Sequence, residues 1–462
     1  MRRRPTAVGI LIATLVAIVL ATLPGTAAEA GPKRHPAKRY NPPAGVKVNN
    51  PLGTFDQRRV IIRHLIRSID ATPRGAKIRI ATWNLRSDDI VQSLIWAHQR
   101  GASVRLIIDA GNANVENPNE GFDRLQVALS RGNKDRLLSM TSWAKRCKGS
   151  CRGASGISHT KMFLFSKVGR RAKWVSMFGS ANATDLAAGY QWNDVYTLKN
   201  RRPLWERFEA VFNEMALDKP APEPYEEFGP SNRKAAVYPY VGTQATNNDP
   251  VLWELAKVRC QGSTHGASKG GKTIVRIAMT AMSDERGIAL AQRLRQMWER
   301  GCNVRIIYAV MGNQVLDVLR NKSGRGPIPL RQIAQDWNED GLYDRYLHMK
   351  VLTIAGVYDG NTAANVTFNG SANWTSMALK SDEVGMRIFL PMVRKKYARW
   401  FDYLYDNPPP RPELADGDYD PIAPTDEAAP RGLAGLAALA NGQMFERPVP
   451  QVEDPYALVE ID

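Results

Sequence analysis

The sequence predicts an α/β protein of two similar halves, each a mainly parallel mixed sheet flanked by helices. Three observations predict it. A strand–helix–Arg-Gly–strand unit occurs twice. A second pattern, His-x-Lys followed by Gly-Ser-Ala-Asn, also occurs twice, and in the same order relative to the first. The chain has 462 residues, 44% of them hydrophobic, which is more than one ordinary core absorbs.

In the first half, Lys77-Ile78-Arg79-Ile80-Ala81 reads as a strand. Ser87 is a candidate N-cap, followed by Asp88 and Asp89. Ile90, Val91, Leu94 and Ile95 then fall at helical spacing up to Arg100-Gly101, and Val104-Arg105-Leu106-Ile107-Ile108 is the next strand. The second half repeats this. Val275-Arg276-Ile277-Ala278 is the strand, and Ser283-Asp284-Glu285 begins the helix. Ile288, Leu290, Ala291, Leu294 and Trp298 form its apolar face, Arg300-Gly301 ends it, and Val304–Tyr308 is the next strand.

The ends of the chain differ from its middle. The formal net charge is +18, made of +2 over residues 1–30, +24 over 31–408 and −8 over 409–462. The basic middle favours a phosphate-bearing or polyanionic partner, whether nucleic acid or an anionic membrane surface. Arg2-Arg3-Arg4, the apolar run Thr6–Leu23 and the Ala28-Glu29-Ala30 site make residues 1–30 a signal peptide, with an uncleaved membrane anchor as the rival. A secreted, extracellular protein is expected. Residues 31–51 read as a basic, Pro-rich linker, 52–218 as the first lobe and 219–248 as a Pro-rich connection. Residues 249–408 read as the second lobe and 409–462 as an acidic, Pro-rich flexible tail. Export makes disulfides the expected state of the four cysteines. Cys147 with Cys151 and Cys260 with Cys302 is the favoured pairing, since each pair lies within one half. Cys-x3-Cys without a second Cys/His pair argues against zinc.

His159-Thr160-Lys161 precedes Gly179-Ser180-Ala181-Asn182 by the same order as His348-Met349-Lys350 precedes Gly370-Ser371-Ala372-Asn373. Each copy closes with an acid before a β-like run, Asp194-Val195 and Glu383-Val384. In a strand, a His and the Lys two residues on share a face. Two halves facing each other would pool two imidazoles, two ammonium groups, two amides and the Ser180 and Ser371 hydroxyls. Lys and Asn suit the non-bridging oxygens of a phosphodiester, and Ser180 and Ser371 are expected to bind substrate. One neutral imidazole can attack phosphorus while the other, protonated, donates to the leaving oxygen. A carboxylate behind each ring would fix its tautomer. No acid cluster suited to Mg²⁺ or Ca²⁺ accompanies these residues, so no metal or cofactor is expected.

These residues resemble the phospholipase D superfamily, whose signature is His-x-Lys-x4-Asp followed by Gly-Ser-x-Asn, usually in two copies. The resemblance covers about residues 52–408. It implies two lobes related by a pseudo-two-fold axis, one active site between them, and a covalent phosphohistidine. It makes His159 the nucleophile and His348 the general acid, with Asp194 and Glu383 each supporting the imidazole of the opposite lobe. The sequence departs from the signature where Ser166 and Ala355 stand in place of its Asp, a residue mainly structural in the family. Gly101 to His159 spans 58 residues against 47 from Gly301 to His348, and the excess coincides with the Cys147–Cys151 loop. The expected activity is that of a phosphoric diester hydrolase on phospholipid headgroups, or a transferase, acting as a monomer. A nuclease of the same superfamily is the alternative.

Overall fold

A computed structural model describes residues 36–240, 248–264, 269–337 and 343–410. The expected signal peptide, the start of the expected linker and nearly all of the expected acidic tail lie outside the described residues. Both lobes fall in a single unit, His35–Asp462.

The repeated Arg-Gly is a helix stop. The helices Asp88–Gln99 and Asp284–Glu299 both end at a glycine with φ of 98°, at Gly101 and Gly301. In each case the amide of the residue after the glycine reaches back five residues, Ala102 to Ala97 and Cys302 to Met297, both at 3.0 Å. That left-handed turn needs a residue without Cβ strain and redirects the chain into the next strand. The strands on either side pair in parallel: Lys77–Ala81 with Ser103–Asp109, and Ile274–Met282 with Asn303–Met311.

The first lobe holds a seven-stranded sheet in the order Gly45–Val48, Asp194–Leu198, Ala172–Gly179, Met162–Val168, Lys77–Ala81, Ser103–Asp109, Trp143–Cys147. The second lobe holds a nine-stranded sheet. Its path runs Glu226–Phe228, Arg233–Val237, Val384–Ile388, Asn361–Gly370, Lys350–Tyr358, Ile274–Met282, Asn303–Met311, Leu330–Gln332, with Val258–Arg259 paired beside Lys350–Tyr358. Each sheet is mixed, but parallel pairing is confined to its βαβ end, so "mainly parallel" needs correction. The motif strands are hairpins. Gly169-Arg170-Arg171 joins one pair, and Asp359-Gly360, with φ of 50° and 78°, joins the other. Turns this short force antiparallel neighbours.

Two boundary expectations also change. Gly45–Val48, inside the expected linker, is an edge strand paired with Asp194–Leu198. Glu226–Phe228 and Arg233–Val237, inside the expected connection, are strands of the second sheet, where Arg233–Val237 pairs with Val384–Ile388. Open sheet edges beside each motif strand explain both: local sequence reads as linker, and pairing supplies the order. The cysteines pair as expected, Cys147 with Cys151 and Cys260 with Cys302. Among the described residues no helix is long and apolar enough to cross a membrane.

One buried cluster belongs to each lobe and a third is shared. The shared cluster joins Trp192, Tyr196, Phe208 and Phe212 of the first lobe to Tyr346, Met349, Tyr397 and Phe401 of the second. A short parallel pair, Gln191–Trp192 with Arg345–Leu347, also crosses between the lobes. The lobes are therefore held by a common core and by main-chain bonds on the axis, which fixes the motif residues relative to each other.

The motif glycines are sites of close backbone approach. A Cβ on Gly179 would meet the Asp194 carbonyl, and one on Gly370 would meet the Val384 carbonyl. Neither neighbour is a flexible side chain. Gly370→Ala should therefore lower stability by about 1–3 kcal/mol, the usual range for overpacking. Urea unfolding measures this, and an unchanged midpoint would show that the strands separate freely.

Candidate active site

The main chain first brings the two motifs together across the lobes. The His159 amide donates to the Asp382 carbonyl at 3.1 Å, and the His348 amide donates to the Trp192 carbonyl at 3.0 Å. Each histidine is thus pinned to the residue preceding its side-chain partner. His159 Nδ1 lies 2.7 Å from Glu383 Oε1, and His348 Nδ1 lies 2.9 Å from Asn193 Oδ1. The lysines follow the same symmetry: Lys161 Nζ donates to the His159 carbonyl and Lys350 Nζ to the His348 carbonyl, both at 2.8 Å.

The expected placement of Glu383, His159, His348 and both lysines agrees with this geometry. That of Asp194 does not. Asn193 occupies the place opposite His348, and Asp194 accepts from the Tyr397 hydroxyl at 2.6 Å and from Asn369 Nδ2 at 3.2 Å. The reason is strand alternation: neighbouring residues point to opposite faces. The Ser180 amide donates to the Asp194 carbonyl as the Ser371 amide donates to that of Val384, so Asn193 is the counterpart of Glu383. Burial, the main cause, raises the Asp194 carboxyl above its ordinary range.

Ser180 and Ser371 also take a different role from the one expected. Ser180 Oγ donates to Asn193 Oδ1 at 2.7 Å and accepts from the Asp194 amide at 3.0 Å. Ser371 Oγ donates to Glu383 Oε2 and accepts from the Val384 amide at 3.0 Å. Both are fully buried and hold the partner of a histidine rather than facing a substrate. Asn182 and Asn373 lean on their own lobes, with Thr82 Oγ1 3.5 Å from Asn182 Oδ1 and the Ala281 amide 3.3 Å from Asn373 Oδ1. Fixed in this way, each amide can serve as a neutral donor.

Tautomers follow from the acceptors. Glu383 can only accept, so the His159 proton sits on Nδ1 and the lone pair on Nε2. Asn193 Nδ2 donates to the Ala187 carbonyl and to Gln191 Oε1, both at 3.1 Å, so its Oδ1 must face His348. His348 therefore also carries its proton on Nδ1.

Electrostatics separates the two rings. Burial pushes His159 down to about 4; Glu383 opposes that shift, and Lys161 and Lys350 add to it. Burial also pushes His348 well below its ordinary value; Lys350, Lys161 and His159 add to the shift, and the Ser180 main chain opposes it. Both rings are neutral near pH 7 in the unliganded protein, and of the two only His159 has a carboxylate hydrogen-bonded to it that favours its charged form.

Sequence reasoning missed Asn193 and two aromatic walls. Trp83 packs edge-on against His159 with centroids 5.6 Å apart, and the Lys161 ammonium lies 5.6 Å from its ring centre. Tyr346 packs edge-on against His348 at 5.9 Å. Trp83 was findable, since it stands just past the carboxyl end of a parallel strand, where α/β sites form. Among the described residues no group of three or more His, Cys, Asp or Glu has the arrangement of a metal site.

The sequence matches the family described as "Cardiolipin synthase, PLD-like domain" over residues 65–216 and 269–405. None of the curated proteins matches the sequence. Among solved structures, phosphatidylserine synthase of Haemophilus influenzae Rd KW20 is 12% identical, with a TM-score of 0.51 over 86% of this chain and 94% of that one. Polyphosphate kinase from Porphyromonas gingivalis is 13% identical with a TM-score of 0.49, and this chain covers 49% of its length. The phospholipase D family member Nuc from Salmonella typhimurium is 18% identical with a TM-score of 0.27, over 38% of this chain and 95% of that one.

Two titrations test the assignment. His159 should stay neutral down to about pH 4, and Glu383→Gln should lower its pKa further, because the carboxylate charge favours the imidazolium. Asn193→Asp should raise the His348 pKa by supplying the missing charge. Imidazole ¹⁵N shifts report both, and an unmoved His348 in Asn193→Asp would remove that residue from its role.

Proposed function

We propose, on the premise that this chain belongs to the phospholipase D-like superfamily, that it is an exported phosphodiesterase or transferase acting on phospholipid headgroups through a covalent phosphohistidine. The observation that carries the chemistry is the unequal support of the two histidines, a carboxylate for His159 and an amide for His348. Lipid as substrate draws support from the family's description as a cardiolipin synthase domain and from the phosphatidylserine synthase fold. Export draws support from the basic, apolar, small-residue pattern of residues 1–30 and from the two disulfides.

The phosphate enters between Lys161 and Lys350, with Asn182 and Asn373 as neutral donors. His159 Nε2 attacks phosphorus, and the N–P bond forms as the bond to the leaving oxygen breaks. The phosphorylated ring is cationic, and the Glu383 carboxylate on Nδ1–H stabilises it. His348 needs a proton to give to the leaving oxygen. The phosphodiester's own negative charge offsets the two ammonium groups that otherwise hold His348 neutral. Backed by an amide, His348 releases its proton readily. It then takes one from water or an acceptor alcohol as that oxygen attacks phosphorus and the N–P bond breaks, which restores both rings.

A nucleic-acid substrate is the second reading, favoured by the +24 carried by residues 31–408.

The deciding assay offers phosphatidylcholine vesicles and, in parallel, single- and double-stranded DNA, with EDTA present. Headgroup release without nicking is expected, and nicking without lipid turnover would replace the first reading by the second. His159→Ala and His348→Ala should each lower the rate by about 10²–10⁴-fold, the range for losing one proton-transfer or nucleophilic group. EDTA should leave the rate unchanged, and strong inhibition would contradict chemistry carried by these side chains alone.

A further inference from the structure

We propose that Asp382 is a positioning residue for the His159–Glu383 pair, and that the Cys147–Cys151 disulfide loop acts on catalysis by anchoring it. The proposal rests on the reading of this site as a phosphodiesterase.

Asp382 is 1% exposed and directly precedes Glu383. Its main chain and its side chain both bind the other lobe. The main chain runs alongside residues 157–159: its amide donates to the Ile157 carbonyl at 3.0 Å, and its carbonyl accepts from the His159 amide at 3.1 Å. The carboxylate reaches across to the disulfide loop. It accepts from the Cys151 amide and, at 3.2 Å, from the Arg152 amide. Four hydrogen bonds thus stitch one residue to the 151–159 segment. They set where Glu383 stands relative to His159, since each of those two residues sits next to a bonded atom.

Among the described residues, the opposite half of the site shows no such device. Trp192 is the counterpart of Asp382, and it too takes an amide bond from a histidine, but its side chain packs in the shared apolar cluster. The charged lock and the disulfide insertion both occur on the side of the histidine read as nucleophile. Two adjacent backbone N–H groups aimed at one carboxylate form an anion nest, and the short Cys-x3-Cys ring holds the loop that presents them.

Asp382 also carries a titration. Burial pushes its carboxyl up to about 7, against the opposing pull of the Cys151 amide, Ser150, Arg152 and the Arg152 amide. The charged and titratable groups around it are Arg152, which pairs with Glu214 at 2.9 Å, the adjacent Glu383, Asp109, whose carboxylate accepts from the Ser158 amide at 2.9 Å beside the bridge from Ser158 to Asp382, and Tyr238, which lines the same small cavity. Above about pH 7 the carboxylate is ionised and accepts both amides at full strength. Below it the protonated acid holds the loop less tightly.

The wild-type full chain supplies the first test. Imidazole NMR of His159 should show an inflection near pH 7 in addition to its own titration near 4, and a single transition would overturn the proposal. Asp382→Asn should remove the inflection near 7. With bis(p-nitrophenyl) phosphate, that variant at pH 8 should lose about 10–100-fold in kcat with KM little changed, the scale of a small misplacement of a reacting group. The paired variant Cys147→Ser/Cys151→Ser, which keeps Asp382, should show a smaller loss in the same direction. Wild-type values of both kcat and the His159 titration in the folded variants, checked by thermal unfolding, would sink the proposal. If wild type itself turns over no phosphodiester, the reading of the function fails. The NMR result still decides whether Asp382 positions His159.

Discussion

Everything in the site depends on one exchange between the lobes. The His159 imidazole is held by Glu383, and the His348 imidazole by Asn193, each across the pseudo-two-fold axis. Neither lobe alone contains both members of either pair. Burying a neutral imidazole beside an ammonium group is tolerable only if its N–H finds an acceptor, and the acceptor comes from the other half. The shared apolar core and the short crossing strands serve this exchange, because they leave the two halves no freedom to shift against each other.

The exchange also explains why the repeat is inexact. Perfect symmetry would give both rings the same partner and nearly the same pKa. In the proposed mechanism one ring becomes a cation on forming a bond to phosphorus, and the other gains and loses a proton. A carboxylate serves the first need and an amide the second. The glycines and serines of the two turns keep their symmetry because they do the same job on both sides: close approach of a strand, and a hydroxyl that fixes the partner.

Much of this was legible in the sequence. The two His-x-Lys pairs, the Gly-Ser turns and the helix-ending Arg-Gly pairs carried the architecture and six of the side chains that meet at the axis. Asn193 was not legible, because an acid stands next to it. Gly179 lies 14 residues before Asn193, while Gly370 lies 13 before Glu383. A pattern search that wants a carboxylate therefore settles on Asp194. In a strand, one residue is the difference between the site and the core. Asp194 instead meets Tyr397 and Asn369, groups that local sequence could not place there. The strands at 45–48 and 226–237 were hidden for a related reason. Their order comes from a sheet edge contributed by distant residues, not from their own periodicity.

The signature position that this chain lacks fits the same view. Ser166 and Ala355 stand where the family pattern has an acid, yet the site closes without one. Ser166 Oγ accepts the Lys77 amide at 2.8 Å, and Ala355 pairs across the sheet with Ile274 and Asn365. Both positions lie well along strands that start at the site, at the ends remote from the histidines. An acid there could stiffen a sheet but could not touch a substrate phosphate. The residues assigned to the proposed chemistry are those on the axis, where each lobe completes the other.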